Sequence, residues 1–73
     1  MRGSAQAAAP IQAYTVSDMI VMHSGPSPAA GKVRDFKSGD LVYPTGQKNG
    51  VWWEVDDENG NRGWVSSAKI TPR

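Results

Sequence analysis

The chain contains no cysteine, so neither a disulfide framework nor a thiolate metal site can support its fold. Its formal net charge is only +1, and its basic residues form no cluster of the kind that phosphate backbones require. No apolar run approaches the roughly 20 residues that span a bilayer. We therefore expect no nucleic-acid partner, no membrane insertion of the domain, no cofactor and no metal.

The chain is also too short for a thick core. Its 73 residues form one domain, and a domain of this size buries only about 60% of the surface that its unfolded chain exposes. No segment shows a sustained 3.6-residue periodicity of apolar residues, so we expect no α-helix. Stability must come from strand pairing and from compact packing of apolar side chains.

The large aromatic residues are concentrated in one predicted hairpin, over residues 51–67. This segment contains all three tryptophans of the chain, Trp52, Trp53 and Trp64. Its turn carries the dipeptide Asn59-Gly60, which tolerates positive φ at both turn positions. A second such dipeptide, Asn49-Gly50, lies ten residues earlier. Two Asn-Gly turns at this spacing predict a three-stranded antiparallel meander.

Short runs of β-forming residues elsewhere predict further strands. The candidate strand segments outside the hairpin, of which the shortest have only three residues, are 14–16, 19–22, 32–36, 41–47 and 69–71. Prolines and glycines over residues 24–31 exclude regular pairing there and predict a surface loop. Pro44 predicts a bulge or an edge position within its strand. The polar residues 66–68 are compatible with a single 3₁₀ turn.

Five or six short strands cannot form two thick layers. One strongly bent sheet closed on itself is the economical solution, because closure hides strand edges. We therefore predict an all-β fold, a small SH3-like barrel of five to six antiparallel strands with a short 3₁₀ turn. The expected core includes Val33, Leu41, Val55, Val65 and Ile70.

The first eleven residues lack the strand pattern. Residues 1–4 have the character of an expression leader, and residues 5–10 are rich in alanine. We predict that residues 1–11 are a disordered tail and that the domain comprises residues 12–73. The small residues of this tail have an A-x-A arrangement, which is typical of the cleavage site of exported proteins, and the alternative is an interdomain linker.

Four short motifs in the same order resemble the bacterial SH3 (SH3b) domains, over residues 14–71. The motifs are SGPS at 24–27, FKSGDLV at 36–42, NGVWWEV at 49–55 and GNRGWVSS at 60–67. The resemblance implies a non-catalytic binding module of an exported protein, in the periplasm or cell envelope, that recognises peptidoglycan. Val21 and His23 depart from the pattern, since the family usually has asparagine and arginine just before the Ser-Gly-Pro loop.

The hairpin also resembles the SH3 domains that bind proline-rich peptides. Those domains use a proline and a tyrosine around the 3₁₀ turn to form slots for a polyproline II helix. Ser66 and Lys69 occupy the corresponding positions here. A conventional PxxP groove is therefore incomplete in this chain.

Neighbouring residues of a strand point to opposite faces, so Trp52 and Trp53 cannot both be core residues. Trp53 shares a face with Val55 and is the predicted core residue, whereas Trp52 shares a face with Glu54. Trp52 is either an exposed aromatic platform or a cover for the barrel rim. We predict a structural role for Trp64, where the barrel closes. The candidate ligand-binding residues are Trp52, Tyr43, Ser24, Ser27 and Asn49.

No motif in the chain indicates catalysis. His23 and Ser24 are adjacent in an extended segment, so they do not face each other as a base and a nucleophile would. The acidic run over residues 54–58 lacks the ligand spacing and glycine of a calcium loop, and we interpret it as a solvated hairpin tip. We predict no enzyme activity.

Two functions remain. The first is recognition of cell-wall peptide or glycan. The alternative is a protein–protein interaction or assembly domain within an envelope or secretion complex, which uses the same surface against a polypeptide. In either case we expect the isolated domain to be a monomer.

Overall fold

Seven short antiparallel strands form one sheet in the computed structural model, which describes residues 12–73. The strands are β1 (Tyr14–Val16), β2 (Ile20–His23), β3 (Lys32–Phe36), β4 (Leu41–Asn49), β5 (Trp52–Asp56), β6 (Arg62–Ser66) and β7 (Ile70–Pro72), with a 3₁₀ turn at Ser67–Lys69. The predicted tail over residues 1–11 lies outside the described residues. The described part contains no α-helix, and therefore no helix that could cross a membrane.

The strand order in the sheet is β3-β2-β6-β5-β4-β1-β7. This arrangement confirms the all-β, SH3-like fold class. The count is seven rather than five or six, because the three-residue strands β1 and β7 pair with each other along their whole length. The order ends at β3 on one side and β7 on the other, and these two strands do not pair, so the predicted closure of the sheet on itself is wrong.

The predicted three-stranded meander is β4-β5-β6. Its two turns differ from the prediction in their backbone geometry. Gly50 and Gly60 have φ values of 61° and 87°, but no residue other than glycine has a positive φ in the described part. The asparagines therefore do not adopt the second positive φ that a type I′ turn requires.

A bulge follows Pro44, as the sequence predicts. Pro44 pairs with Val55 and Lys48 pairs with Trp53, so that residues 45–47 all oppose Glu54. Gly46 takes a φ of 101° within the bulge, a conformation that glycine adopts without a steric penalty. The bulge thereby brings Thr45 over Glu54.

Each strand contributes one buried hydrophobic residue to a single core. These residues are Val16, Met22, Phe36, Val42, Val55, Val65 and Ile70. The predictions for Val55, Val65 and Ile70 are confirmed, while those for Val33 and Leu41 are wrong.

The two wrong core residues have different causes. Val33 is 37% exposed because it is the extra residue of a bulge. Met22 pairs with Arg34 and the next residue, His23, pairs with Lys32, so Val33 has no partner on β2. Leu41 is only half-buried because its neighbour Val42 points inward. A period of two divides a strand into two faces without indicating which face is the core.

Gly63 allows β6 to approach β2 closely. A Cβ atom at this position would lie 2.5 Å from Met22 Cγ and 2.6 Å from the carbonyl oxygen of His23. Those distances are shorter than van der Waals contact, so a larger residue would push the strands apart. The glycine therefore positions His23 beside the next residue of β6, Trp64.

Candidate ligand-binding site

The face of the sheet opposite the core carries two tryptophans. Val55 and Val65 point into the core, so their neighbours Glu54 and Trp64 point outward, and these two residues are direct partners across β5 and β6. Trp52 lies two residues from Glu54 on the same strand and the same side. Trp52 and Trp64 are thus diagonal neighbours on one outer face, and both are partly exposed.

His23 extends this aromatic surface from β2. It pairs with Trp64 in the sheet, and its ring lies 5.5 Å from the Trp52 ring, centroid to centroid, at an interplanar angle of 88°. This edge-to-face geometry is the favourable one for two aromatic rings. We refer to His23, Trp52, Glu54 and Trp64 as the tryptophan face.

His23 also connects the tryptophan face to the loop over residues 24–31. Its Nδ1 atom lies 2.9 Å from the carbonyl oxygen of Ala30, and because a carbonyl oxygen only accepts, Nδ1 must carry the proton. The base of the loop is closed by the N–H of Ser24, which donates to the carbonyl of Gly31 at 2.7 Å. The imidazole that contacts Trp52 therefore also helps to hold the loop.

Glu54 has a fixed orientation on this face. Thr45 Oγ1 donates to Glu54 Oε1 at 2.8 Å, and it does so from the bulge that follows Pro44. The residue is partly buried, with Trp64 directly opposite on β6 and Trp52 two residues away on β5. One oxygen of Glu54 is thus engaged by the domain itself.

The structure brings most of the predicted site residues together. Asn49 is the direct partner of Trp52 across β4 and β5. Ser24 and Ser27 belong to the loop that His23 holds, and the Ser27 hydroxyl accepts a hydrogen bond from the N–H of Ala29 at 3.1 Å. These residues form one end of the candidate site.

Tyr43 lies at the other end of the same face. It pairs with Asp56, which is four residues from Trp52 and hence about 13 Å away along the strand. Its hydroxyl donates to Glu58 Oε2 at 3.3 Å. Asp56 in turn accepts two hydrogen bonds from Arg62, at 2.6 and 3.0 Å, and this pairing lowers the pKa of Asp56. The predicted site is therefore elongated rather than a single pocket.

Three members of the tryptophan face were absent from the predicted site, namely His23, Glu54 and Trp64. The position of Trp64 could have been deduced from the predicted core. Val65 was assigned to the core, and consecutive residues of a strand point to opposite faces, so Trp64 must point outward. The contact of His23 with Trp52 could not have been deduced, since it joins strands that are far apart in the sequence and separated in the sheet by β6.

Trp53 occupies the opposite face, as predicted. It packs against the core cluster, and its ring meets that of Tyr14 at 5.7 Å in an edge-to-face arrangement. The Nζ atom of Lys48 lies 4.2 Å from the ring centroid of Trp53. The two adjacent tryptophans therefore have different surroundings, one in the core layer and one on the outer face.

One residue of the predicted solvated hairpin tip is buried. The Asp57 side chain is only 1% exposed and accepts hydrogen bonds from Arg34, from the Asn61 amide and from the backbone N–H groups of Asn59 and Asn61. Burial alone would raise the pKa of Asp57, but these hydrogen bonds outweigh it and lower the pKa to about 2. The prediction was wrong because the spacing of acidic residues does not reveal that one of them organises the turn.

A cleft of about 380 Å³ lies near this turn, away from the tryptophan face. Arg34, Asp40, Glu58 and Asn59 are among its lining residues, and none of the predicted site residues lines it. Arg34 is already engaged by Asp57 at 3.0 Å and lies 3.7 Å from Asp40. Because its central cation is already paired within the domain, we place the candidate site on the tryptophan face.

Comparison with known proteins agrees with the fold and the motifs. The family model described as Bacterial SH3 domain matches residues 20–71, which is most of the chain. No curated protein matches it. Bacterial SH3 domains are generally non-catalytic binding modules, and they commonly occur in exported or envelope proteins. The chain belongs to the family of bacterial SH3 domains.

Proposed function

We propose that this domain is a non-catalytic binding module of an exported or cell-envelope protein and that it recognises cell-wall peptide or glycan. The observation that carries the proposal is the pair of partly exposed tryptophans, Trp52 and Trp64, on one outer face of the sheet. A domain this small gains stability by burying large aromatic side chains, so two that face outward favour a role in recognition.

The ligand would lie along the outer face. Sugar rings or an extended peptide would stack on Trp52 and Trp64, while Asn49, Ser24 and Ser27 would provide polar contacts at one end. A ligand that also reaches Tyr43 must span about 13 Å, which corresponds to roughly four extended residues. An elongated polymer fits this geometry better than a compact small molecule.

The same elongated shape supports the alternative, a protein–protein interaction or assembly domain of an envelope or secretion complex. An extended polypeptide segment would occupy the same residues. The positions of Ser66 and Lys69 disfavour the polyproline II mode of binding, so the polypeptide would have to be recognised in another conformation.

A sedimentation assay with insoluble peptidoglycan, run in parallel with envelope extract, tests the proposal. Replacing Trp52 by alanine should reduce retention on the wall by roughly fivefold or more, because a central aromatic contact is lost, while the free energy of unfolding changes little. Trp53→Ala should instead mainly reduce stability, because Trp53 packs on the core.

The matched control is Met19→Ala, which removes an apolar side chain that is 71% exposed and lies outside the tryptophan face. Its retention should equal that of the wild type. Wall binding that persists unchanged in Trp52→Ala would refute the proposed site. Retention of an envelope protein without wall binding would favour the alternative, and binding to neither would favour a structural role.

A further inference from the structure

The tryptophan face contains one carboxylate without a cationic partner. Among the described residues, Glu54 makes no ion pair, and the hydrogen bond to its side chain comes from the neutral hydroxyl of Thr45. The other two carboxylates between residues 54 and 57 are each paired with an arginine, Asp56 with Arg62 and Asp57 with Arg34.

The nearest cations on this surface are already engaged. Arg62 is the diagonal neighbour of Glu54 on β6, but its guanidinium makes two hydrogen bonds with Asp56. Lys32 pairs with His23 in the sheet, but its ammonium lies 3.0 Å from a carboxylate oxygen of Asp35. The pKa of Arg62 is raised by its hydrogen bonds to Asp56 and, to a smaller extent, by the charge of Glu54, so Arg62 attracts Glu54 without forming an ion pair with it. The face therefore presents a negative charge that no described cation pairs with directly, beside the electron-rich rings of Trp52 and Trp64.

A carboxylate flanked by tryptophans is complementary to a cation, because the face of an indole ring attracts positive charge. The chain shows this interaction internally, where the Lys48 ammonium lies 4.2 Å from the Trp53 ring centroid. Thr45 donates to Oε1 of Glu54, so a ligand group that binds through both oxygens would have to share Oε1 with Thr45, whereas one that binds through a single oxygen could use Oε2 alone. That arrangement suits a primary ammonium better than a guanidinium, which binds a carboxylate through both oxygens.

We propose that the ligand of the tryptophan face carries a primary ammonium group, which binds to Glu54 beside Trp52 and Trp64. This inference rests on the proposed function and narrows it to a peptide with a free amino group, at a side chain or at its amino terminus. A neutral glycan would contact the same rings but would leave Glu54 without a partner.

Chemical acetylation of the wall tests this inference separately from wall binding itself. Acetic anhydride converts the free amines of insoluble peptidoglycan to neutral amides, and retention of the wild-type domain should then fall by roughly fivefold or more. Glu54→Gln should show the same loss of retention on untreated wall and no further loss on acetylated wall. The substitution and the acetylation remove the same interaction, that between the Glu54 carboxylate and an ammonium group, so their effects should not add. Asp18→Asn, which neutralises a carboxylate that is 69% exposed and lies outside the face, should behave as the wild type.

A soluble probe provides an arm that does not depend on the wall. Nα-acetyl-lysine methylamide should shift the indole N–H signals of Trp52 and Trp64 in NMR spectra more than that of Trp53, and its Nε-acetylated form should not. Equal retention on native and acetylated wall, with no such shifts, would overturn the ammonium site but leave wall recognition standing. NMR shifts without wall binding would support the ammonium site and refute the wall as the source of its ligand. The absence of both NMR shifts and wall binding would overturn both proposals.

Discussion

Asp57 shows how one side chain can organise a turn. Its carboxylate accepts hydrogen bonds from two backbone N–H groups of the β5–β6 turn and from the Asn61 amide, and it binds the Arg34 guanidinium 3.0 Å away. The turn is therefore held by a buried ion rather than by a positive φ at Asn59. Arg34 in turn lies over the Phe36 ring, 4.2 Å from its centroid, so the network reaches the core.

We predict that Asp57 makes the domain sensitive to acid. Its pKa falls from 3.8 to about 2 on folding, so its contribution is fully present above pH ~4 and is lost as the pH falls towards ~2. The shift corresponds to about 2 kcal/mol in the free energy of unfolding. Chemical denaturation at a series of pH values measures it.

The comparison variant for this prediction is Asp57→Asn. It should be less stable at neutral pH, because Arg34 loses its buried partner, and its stability should change less between pH 4 and pH 2 than that of the wild type. The same pH dependence in both proteins would show that other carboxylates cause the acid sensitivity.

The pairing of β2 with β6 depends on Gly63 and determines the shape of the tryptophan face. β2 carries His23, β6 carries Trp64, and the two residues are partners in the sheet. The two strands approach closely at Gly63, and the imidazole extends across β6 to the Trp52 ring. The candidate site is therefore built from paired strands, with only the loop over residues 24–31 added at its end.

We predict that Gly63→Ala destabilises the domain by about 1–3 kcal/mol, because the added methyl group would overlap Met22 and the His23 carbonyl. Thermal or chemical unfolding measures the effect. Gly25→Ala is the matched control, since its Cβ would meet Ala30 at an ordinary 3.5 Å. Equal stability of the two variants would mean that β2 and β6 can separate without cost.

The whole molecule depends on one small core to which every strand contributes a single buried residue. The two end strands of the sheet carry features that discourage pairing with another chain. β3 has a bulge at Val33 and an exposed lysine, and β7 ends in Pro72. These features support the prediction that the isolated domain is a monomer.

Because the core is shared by all strands, we predict that Val55→Ala costs about 1–3 kcal/mol in the free energy of unfolding, through lost burial and an unfilled cavity. Val55 is 0% exposed. The same substitution at Val33, which is 37% exposed, should change stability by less than about 1 kcal/mol. A near-zero effect at Val55, measured by urea unfolding, would contradict the assignment of the core.

Local sequence determined where the strands, loops and turns lie. β-forming residues separated by glycine, proline and asparagine predicted the meander, the loop over residues 24–31 and the bulge after Pro44, because each depends on the backbone preferences of adjacent residues. The opposite orientations of Trp52 and Trp53 followed from the period of a strand. The pairing of two of the five predicted site residues, Trp52 and Asn49, followed from the position of the turn between β4 and β5.

Only the tertiary structure determined which face of β4 points into the core. It also determined the bulge that exposes Val33 and the burial of Asp57. It placed His23 against Trp52 and placed Trp64 directly opposite Glu54. Each of these features depends on the pairing of strands that are distant in the sequence, where register and close approach select the neighbours of a side chain. Local propensity carries no information about such partners, because they are chosen by the packing of the whole sheet.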